Sequence, residues 1–381
     1  MKITDMDTSN KKAIIAMSGG VDSSVAALLS VEAGFECIGA TMKLFDNEDV
    51  AEDGSAAAAC PPQPLGDTDD SRSCCSLRDA DDASRVCGMI GIPFYVFDFS
   101  EDFRRDVIGR FVEEYAAGRT PNPCIDCNRY LKYDRLFRRM EGLGFDCVVT
   151  GHYARIERDA ASGRWLLKKA VDETKDQSYV LYSLTQEQLA HTSFPLGAYR
   201  KSEVRELAAA HGFLNARKRD SQDICFVRHG DYAQFIESYT GREWPRGDFV
   251  DTGGAVLGRH DGIIRYTIGQ RKGIAKAVGR PMYVVGIRPD TNEVVLGESE
   301  ELYSRKVTAQ DVNLIATDSL PHPTRVTAKI RYNQKDSPAT AVQTGEGEVE
   351  IIFDEPQRAV TKGQAVVMYD NEVVIGGGTI T

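Results

Sequence analysis

Four short stretches carry residue types that can do chemistry. Ser18-Gly19-Gly20-Val21-Asp22-Ser23-Ser24 joins paired glycines to three hydroxyls and a carboxylate. Thr120-Pro121-Asn122-Pro123-Cys124-Ile125-Asp126-Cys127-Asn128 sets two thiols at Cys-x-x-Cys spacing in a proline-flanked segment. Asp220-Ser221-Gln222-Asp223-Ile224-Cys225-Phe226 adds another thiol, and Lys175-Asp176-Gln177-Ser178-Tyr179 is a polar cluster ahead of an apolar run. Glycines let a ligand approach the backbone, hydroxyls donate to it, and a helix opening straight after the loop aims free N–H groups and its dipole at an anion. Phosphate is the expected guest. A thiol at a helix start has its thiolate favoured, which suits a nucleophile or a metal ligand. On its own, Cys-x-x-Cys fits half a zinc site, a redox pair or chance, and no second such pair completes a zinc site.

These stretches need elements to hold them. The apolar run Ala13–Met17 reads as a strand, the loop follows it, and Val25–Ala33 reads as a helix. Glu36–Phe45 reads as a second strand, Leu77–Gly88 as a helix, Pro93–Phe99 as a buried strand and Phe103–Ala117 as a helix. A helix over Tyr130–Gly142 and a strand over Asp146–Thr150 complete an alternation that predicts a doubly wound parallel sheet. This α/β domain is expected to span residues 1–228, with an acidic, Ala-rich, aperiodic insertion at about 46–73. A central domain over 229–300 is expected, with a helix at Asp231–Tyr239, short strands and the basic motif Arg265–Gly273. Period-two patterning, as in Val326, Ala328 and Ile330, predicts an antiparallel β-barrel over 301–381.

A chain of 381 residues, 42% hydrophobic and 27% charged, has ample material for several globular cores. No apolar run reaches membrane-spanning length, and Met1–Asn10 is polar, so no membrane association and a cytoplasmic location are expected. Nine cysteines in such a chain point to reduced thiols with chemical roles. The net charge of −11 does not exclude a nucleic-acid partner: residues 46–70 alone hold eight acidic side chains and no Lys or Arg.

The loop has neither the Gly-Lys-Ser/Thr ending of the common phosphate-binding loop nor Gly-x-Gly-x-x-Gly. SGGVDS instead resembles the signature of the ATP pyrophosphatases (PP-loop superfamily, adenine nucleotide alpha hydrolase-like fold). Over nearly the whole chain, SGGVDSS, ATMK, the TPNP loop ending in Cys-Asn, TGHYAR, KDQSY, SQDICF, RYTIGQRKG and RYNQ resemble, in order, the tRNA-specific 2-thiouridylase family. That resemblance implies a PP-loop domain, a small central domain and a C-terminal barrel. It implies a sulfurtransferase that adenylates the C2 oxygen of a wobble uridine with ATP and Mg2+, then delivers sulfur from a cysteine persulfide, releasing AMP and pyrophosphate. tRNA is the implied substrate, and a sulfur-donor protein, a cysteine desulfurase or sulfur carrier, the implied partner.

By motif position the resemblance makes Cys127 the catalytic nucleophile and Cys225 the persulfide carrier, with sulfide or a transient disulfide between them following. ATP would contact Ala16, Met17, Ser18, Gly19, Gly20, Val21, Asp22, Ser23, Met42 and Gly151, with Asp22 helping to place magnesium. The target base would lie against Asn122, Pro123 and Cys124. His152, Lys175, Asp176, Gln177, Arg331, Tyr332 and Gln364 would touch tRNA. Arg129, Lys132, Arg135, Arg138 and Arg139 form a basic stripe that reads either as a track for phosphates or as a solvated helix face. Many family members carry Asp where this chain has Cys124. That departure leaves two alternatives: a persulfide relay with a spare thiol, or an iron–sulfur cluster on Cys124, Cys127 and Cys225 delivering sulfide. A nitrogen-transferring PP-loop ligase is the competing enzyme class, and it would need neither Cys127 nor Cys225.

Overall fold

The computed structural model describes residues 11–45, 77–218, 224–227, 231–274 and 281–381. The acidic insertion, Cys74, Cys75 and the Asp220–Asp223 part of the cysteine motif lie outside them.

The first sheet comprises β1 (Lys12–Ala16), β2 (Glu36–Lys43), β3 (Phe94–Asp98), β4 (Cys147–Val149) and, beyond a hairpin of β5 (Ala154–Arg158) and β6 (Trp165–Lys169), β7 (Thr192–Ser193). The order is β3-β2-β1-β4-β7, with every neighbouring pair parallel. β1 explains why two apolar layers form. Its alternate residues face opposite ways, so Ala13 and Ile15 pack beneath α1 (Val21–Glu32) and α2 (Leu77–Ile90), while Ile14 packs into the other layer with Ala40, Met42, Phe103, Phe111 and Leu131. Helices on both faces make this the predicted doubly wound α/β domain. β3 departs from expectation: it is an edge strand, with Tyr95 50% and Val96 53% exposed, so its apolar run is not a buried one.

Residues 123–142 form one helical run, α-helical over Pro123–Asp126, π-helical over Cys127–Arg135 and α-helical again over Leu136–Gly142. It therefore begins at Pro123, ahead of the expected Tyr130. Asn122 caps it, accepting from the Cys124 N–H at 3.2 Å, and proline fits the next position because its missing N–H would find no helical partner anyway.

The central sheet, β8 (Gly247–Asp251), β9 (Val256–His260), β10 (Tyr283–Arg288) and β11 (Glu293–Gly297), has the order β10-β11-β8-β9. Six further strands, β12 (Tyr303–Leu314), β13 (Thr324–Lys329), β14 (Ser337–Gly345), β15 (Glu348–Arg358), β16 (Ala365–Asp370) and β17 (Val373–Ile380), close into an antiparallel barrel because β12 pairs with both β15 and β17. Val326, Ala328 and Ile330 point inward as their spacing predicts.

The barrel is joined to the first domain. Val373 of β17 pairs with Lys168, so the β5–β6 hairpin extends the barrel wall. Arg155 and Lys168 from the hairpin grip Glu372 at 2.6 and 3.1 Å. Tyr179 donates to the Ala365 carbonyl at 2.8 Å, and the Asn313 amide donates to the carbonyls of Tyr182 and Leu184 at 2.7 and 2.9 Å. Replacing Asn313 with Ala leaves two partly buried carbonyls short of a donor. We expect a loss of about 1–3 kcal/mol in urea denaturation, together with faster proteolysis at the seam; an unchanged unfolding curve would count against this tie.

Candidate functional site

The Ser18–Ser24 loop emerges at the carboxyl end of β1, where open parallel sheets take their ligands. Its serines are turned inward to brace it. Ser18 N–H donates to Ser23 Oγ at 3.2 Å, while the hydroxyls of Ser23 and Ser24 each donate to the Gly20 carbonyl at 3.0 Å. Gly19 adopts φ +67°, and a Cβ there would collide with the Asp79 backbone at the start of α2. Gly151 sits equally close: its Cβ would lie 2.8 Å from Ser23 N, so only glycine lets the TGHYAR turn abut the start of α1.

Sequence reasoning missed the side chains that fasten this loop. Asp22 accepts from the Tyr153 hydroxyl at 2.7 Å, and its two carboxylate oxygens accept from Lys201 Nζ at 2.8 and 2.7 Å. The Gly19 carbonyl accepts from Asn215 Nδ2 at 3.1 Å and Lys218 Nζ at 3.2 Å. Buried polar residues so far from their partners along the chain left no periodic signal; a lysine at a helix start, against the dipole, was the available clue to Lys201.

Met42 is buried in the same apolar layer that Ala16 packs against. Cys127, Ile224 and Cys225 pack against that layer too, so the two thiol-bearing segments, remote in sequence, meet a common surface beneath the loop's entry strand. Cys127 and Cys225 are half-buried and Cys124 is exposed. Cys124 lies near Tyr332 of the barrel, whose phenol is pushed up to about 12, chiefly by burial and further by Asp176 and Cys124. Cys37, Cys87 and Cys147 are core thiols, with burial raising them to about 12, 11 and 12. Among the described residues no three His, Cys, Asp or Glu side chains gather as a metal-binding set. The chemistry below is accordingly written through thiols alone, and no step runs through an iron–sulfur cluster on Cys124, Cys127 and Cys225.

Several of the residues expected to touch tRNA make hydrogen bonds within the fold. His152 is 8% exposed, its Nδ1 within 2.7 Å of Thr150 Oγ1 and 3.1 Å of the Tyr133 hydroxyl. Burial, with Lys132 adding to it, holds the ring well below its usual pKa, which favours the neutral form. Asp176 accepts from the N–H groups of Ala170 and Ser178, and Gln177 accepts from the Tyr153 N–H at 2.9 Å. Gln364 donates to the carbonyls of Thr120 and Pro121 at 2.8 and 3.2 Å, so the barrel holds the cysteine segment in place. Arg331 donates to the carbonyls of Ile268 and Ala359, tying the central domain to the barrel. Pro123 is buried, and Lys175 is half-buried beside these braces. Along the basic stripe, Arg135 and Arg138 are engaged by Asp102 and Asp134, Lys132 by Asn128, and Arg139 lies over Phe97; this supports a solvated face more than a phosphate track.

Three family models match in succession: "tRNA methyl transferase HUP domain" over residues 11–229, "tRNA methyl transferase PRC-barrel domain" over 233–298 and "Aminomethyltransferase beta-barrel domain" over 304–380. A tRNA-specific 2-thiouridylase MnmA of Clostridioides difficile (strain 630) is 50% identical over 371 residues, covering 97% of this chain and 98% of that protein. The chain belongs to the tRNA-specific 2-thiouridylase family. Another thiouridylase, from Acetivibrio thermocellus, is 48% identical over 98% of this chain and 99% of its own length. Solved structures are only loosely alike: an NMN synthetase from Francisella tularensis reaches a TM-score of 0.33 at 15% identity, covering 64% of this chain and 82% of that one. In this thiouridylase-family chain, as in any protein, such a distant likeness carries no functional weight. No helix among the described residues is long and apolar enough to cross a membrane.

Asp126, between the two thiols, yields a pH prediction. Its carboxyl is raised to about 6, burial and Glu114 outweighing Arg110 and Arg129. Folded protein thus holds a proton that unfolded chain gives up near the ordinary aspartate value of 3.8. Asp126 favours folding below that value, and this contribution is lost as pH rises through about 6. Asp126→Asn should stabilise the protein by about 1–3 kcal/mol at pH 7.5, with the gain shrinking toward pH 4.5. Denaturation at both pH values checks this; an equal effect at both would contradict it.

Proposed function

We propose that this chain is a tRNA-uridine 2-sulfurtransferase that activates its target with ATP in the Ser18–Ser24 loop and delivers sulfur through Cys225 and Cys127. The observation that carries the reading is the shared apolar layer on which Met42, Ala16, Cys127 and Cys225 all pack. It ties a nucleotide-binding loop to two thiols from distant segments. A nitrogen-transferring ligase has no use for the second feature.

The residues divide the work. Backbone N–H groups of Gly19 and Gly20 and the opening of α1 receive the phosphates. Met42 and Gly151 border the nucleotide. Asp22, a hard oxygen donor, suits a magnesium ion arriving with ATP, which would neutralise phosphate charge. The C2 oxygen of the uridine attacks the α-phosphorus, pyrophosphate leaves, and that oxygen becomes part of a good leaving group. The outer sulfur of a Cys225 persulfide then attacks C2, and AMP departs with the oxygen. The Cys127 thiolate attacks the Cys225 sulfur and breaks the persulfide bond. Thiouridine is released, and the Cys127–Cys225 disulfide left behind awaits an external thiol reductant. A desulfurase or sulfur carrier recharges Cys225. Asn122, Pro123, Cys124 and Tyr332 border the base, while Arg331, Gln364, Asp176, Gln177, Lys175 and His152 act behind them, holding the surfaces that tRNA meets.

The names of two of the matching family models raise methyl transfer as a second reading. Incubation of uridine-containing tRNA with ATP, magnesium, a persulfide source and a methyl donor such as S-adenosylmethionine, followed by nucleoside mass spectrometry, separates the two. We expect sulfur in place of oxygen on uridine and AMP rather than ADP. Cys127→Ser and Cys225→Ser should each lose at least 100-fold in rate (on the order of 3 kcal/mol), while Cys124→Ser keeps measurable turnover. A methylated uridine, or full activity of Cys225→Ser, would overturn the proposal.

A further inference from the structure

Lys218 lies outside every motif singled out above, yet it reaches the centre of the loop. Its ammonium is 2.6 Å from Asp79 Oδ1 and 3.0 Å from Asp82 Oδ2, both on α2, and 3.2 Å from the Gly19 carbonyl oxygen. Asp79 is 2% exposed, so the carboxylate end of this ion pair is buried while Lys218 is only partly so. Burial disfavours the ammonium, but the bonds to Asp79 and Asp82 outweigh it and keep the charge in place. Asn215, 5% exposed, supports the same carbonyl from the side and also donates to Ser24 Oγ at 2.9 Å.

A peptide unit is planar and trans, so its carbonyl and its N–H point in opposite directions. Fixing the Gly19 oxygen toward Lys218 and Asn215 therefore fixes the Gly20 N–H toward the other side. That N–H donates to no group among the described residues. A cation on the carbonyl also draws charge from the amide and makes the opposite N–H a stronger donor. We propose that Lys218, held by Asp79 and Asp82 and assisted by Asn215, is the positioning residue that aims and strengthens the Gly20 N–H as a receptor for the β- and γ-phosphates of ATP. The inference rests on reading the loop as an ATP site. It acts through the backbone, so it concerns the pyrophosphate portion of the ligand and leaves the nucleoside portion alone.

The test uses the full-length protein and three probes, ATP, inorganic pyrophosphate and AMP, with binding measured by calorimetry. Lys218→Met alone removes the cation beside the buried Asp79 carboxylate and can cost folding, so the decisive variant is Asp79→Asn with Lys218→Met; Lys218→Arg supplies the conservative rescue. For the double variant we expect ATP and pyrophosphate to bind about 10-fold more weakly, the loss of one charge-supported hydrogen bond. AMP should bind as in the wild type, the KM for tRNA should not move, and Lys218→Arg should recover most of the ATP affinity. A uniform weakening of all three probes would mean that Lys218 only holds the fold, and unchanged pyrophosphate binding would likewise overturn the inference. Failure of wild-type protein to bind either ATP or pyrophosphate would strike instead at the reading of the loop.

Discussion

Holding Gly19 and Gly20 in one fixed turn, as the proposed phosphate-binding role requires, works against both backbone entropy and the tendency of amides to pair. The first domain is arranged to meet that constraint. β1 and α1 fix the ends of the loop, Ser23 and Ser24 tie its interior carbonyl, and the α2 backbone fills the space where a side chain on Gly19 would go. Charge does the remainder: Lys201 holds Asp22, and Lys218 with Asn215 holds the Gly19 oxygen. A loop braced in this way meets the condition under which dipoles bind charge without reorganising, which is what the proposed ATP site needs.

The same economy extends to the thiols. Cys127 is carried on a helix whose start is set by Asn122 and by the grip of Gln364 on Thr120 and Pro121, so the barrel governs where the first thiol stands. Cys225 reaches the same apolar layer from the far end of the domain. A barrel joined to the hairpin of the first domain through Val373 and Glu372 is consequently part of the site's support and more than an appended module.

How much of this could be read from the residues depended on distance along the chain. Loop, strand and helix alternation and the inward face of β13 are local patterns of period two or 3.6, and they appeared where expected. Asn122-Pro123 was a legible helix start, overlooked because the cysteines drew the segment toward a loop reading. β3 looked buried because its run is apolar, whereas burial depends on its place at the sheet edge. His152, Asp176, Gln177 and Gln364 have the polarity of ligand contacts, and only the fold reveals that much of their hydrogen-bonding capacity is already spent on backbone and core. Lys201, Asn215 and Lys218 bond across nearly 200 positions, and no spacing rule reports such a pair.

The central claim is that ATP activates the very oxygen that sulfur replaces. Substrate tRNA carrying oxygen-18 at C2 of the target uridine tests it directly, with mass spectrometry of the released nucleotide after a single turnover. Activation by adenylation predicts the label in the phosphate of AMP. Label recovered in water or pyrophosphate, with AMP unlabelled, would contradict the account.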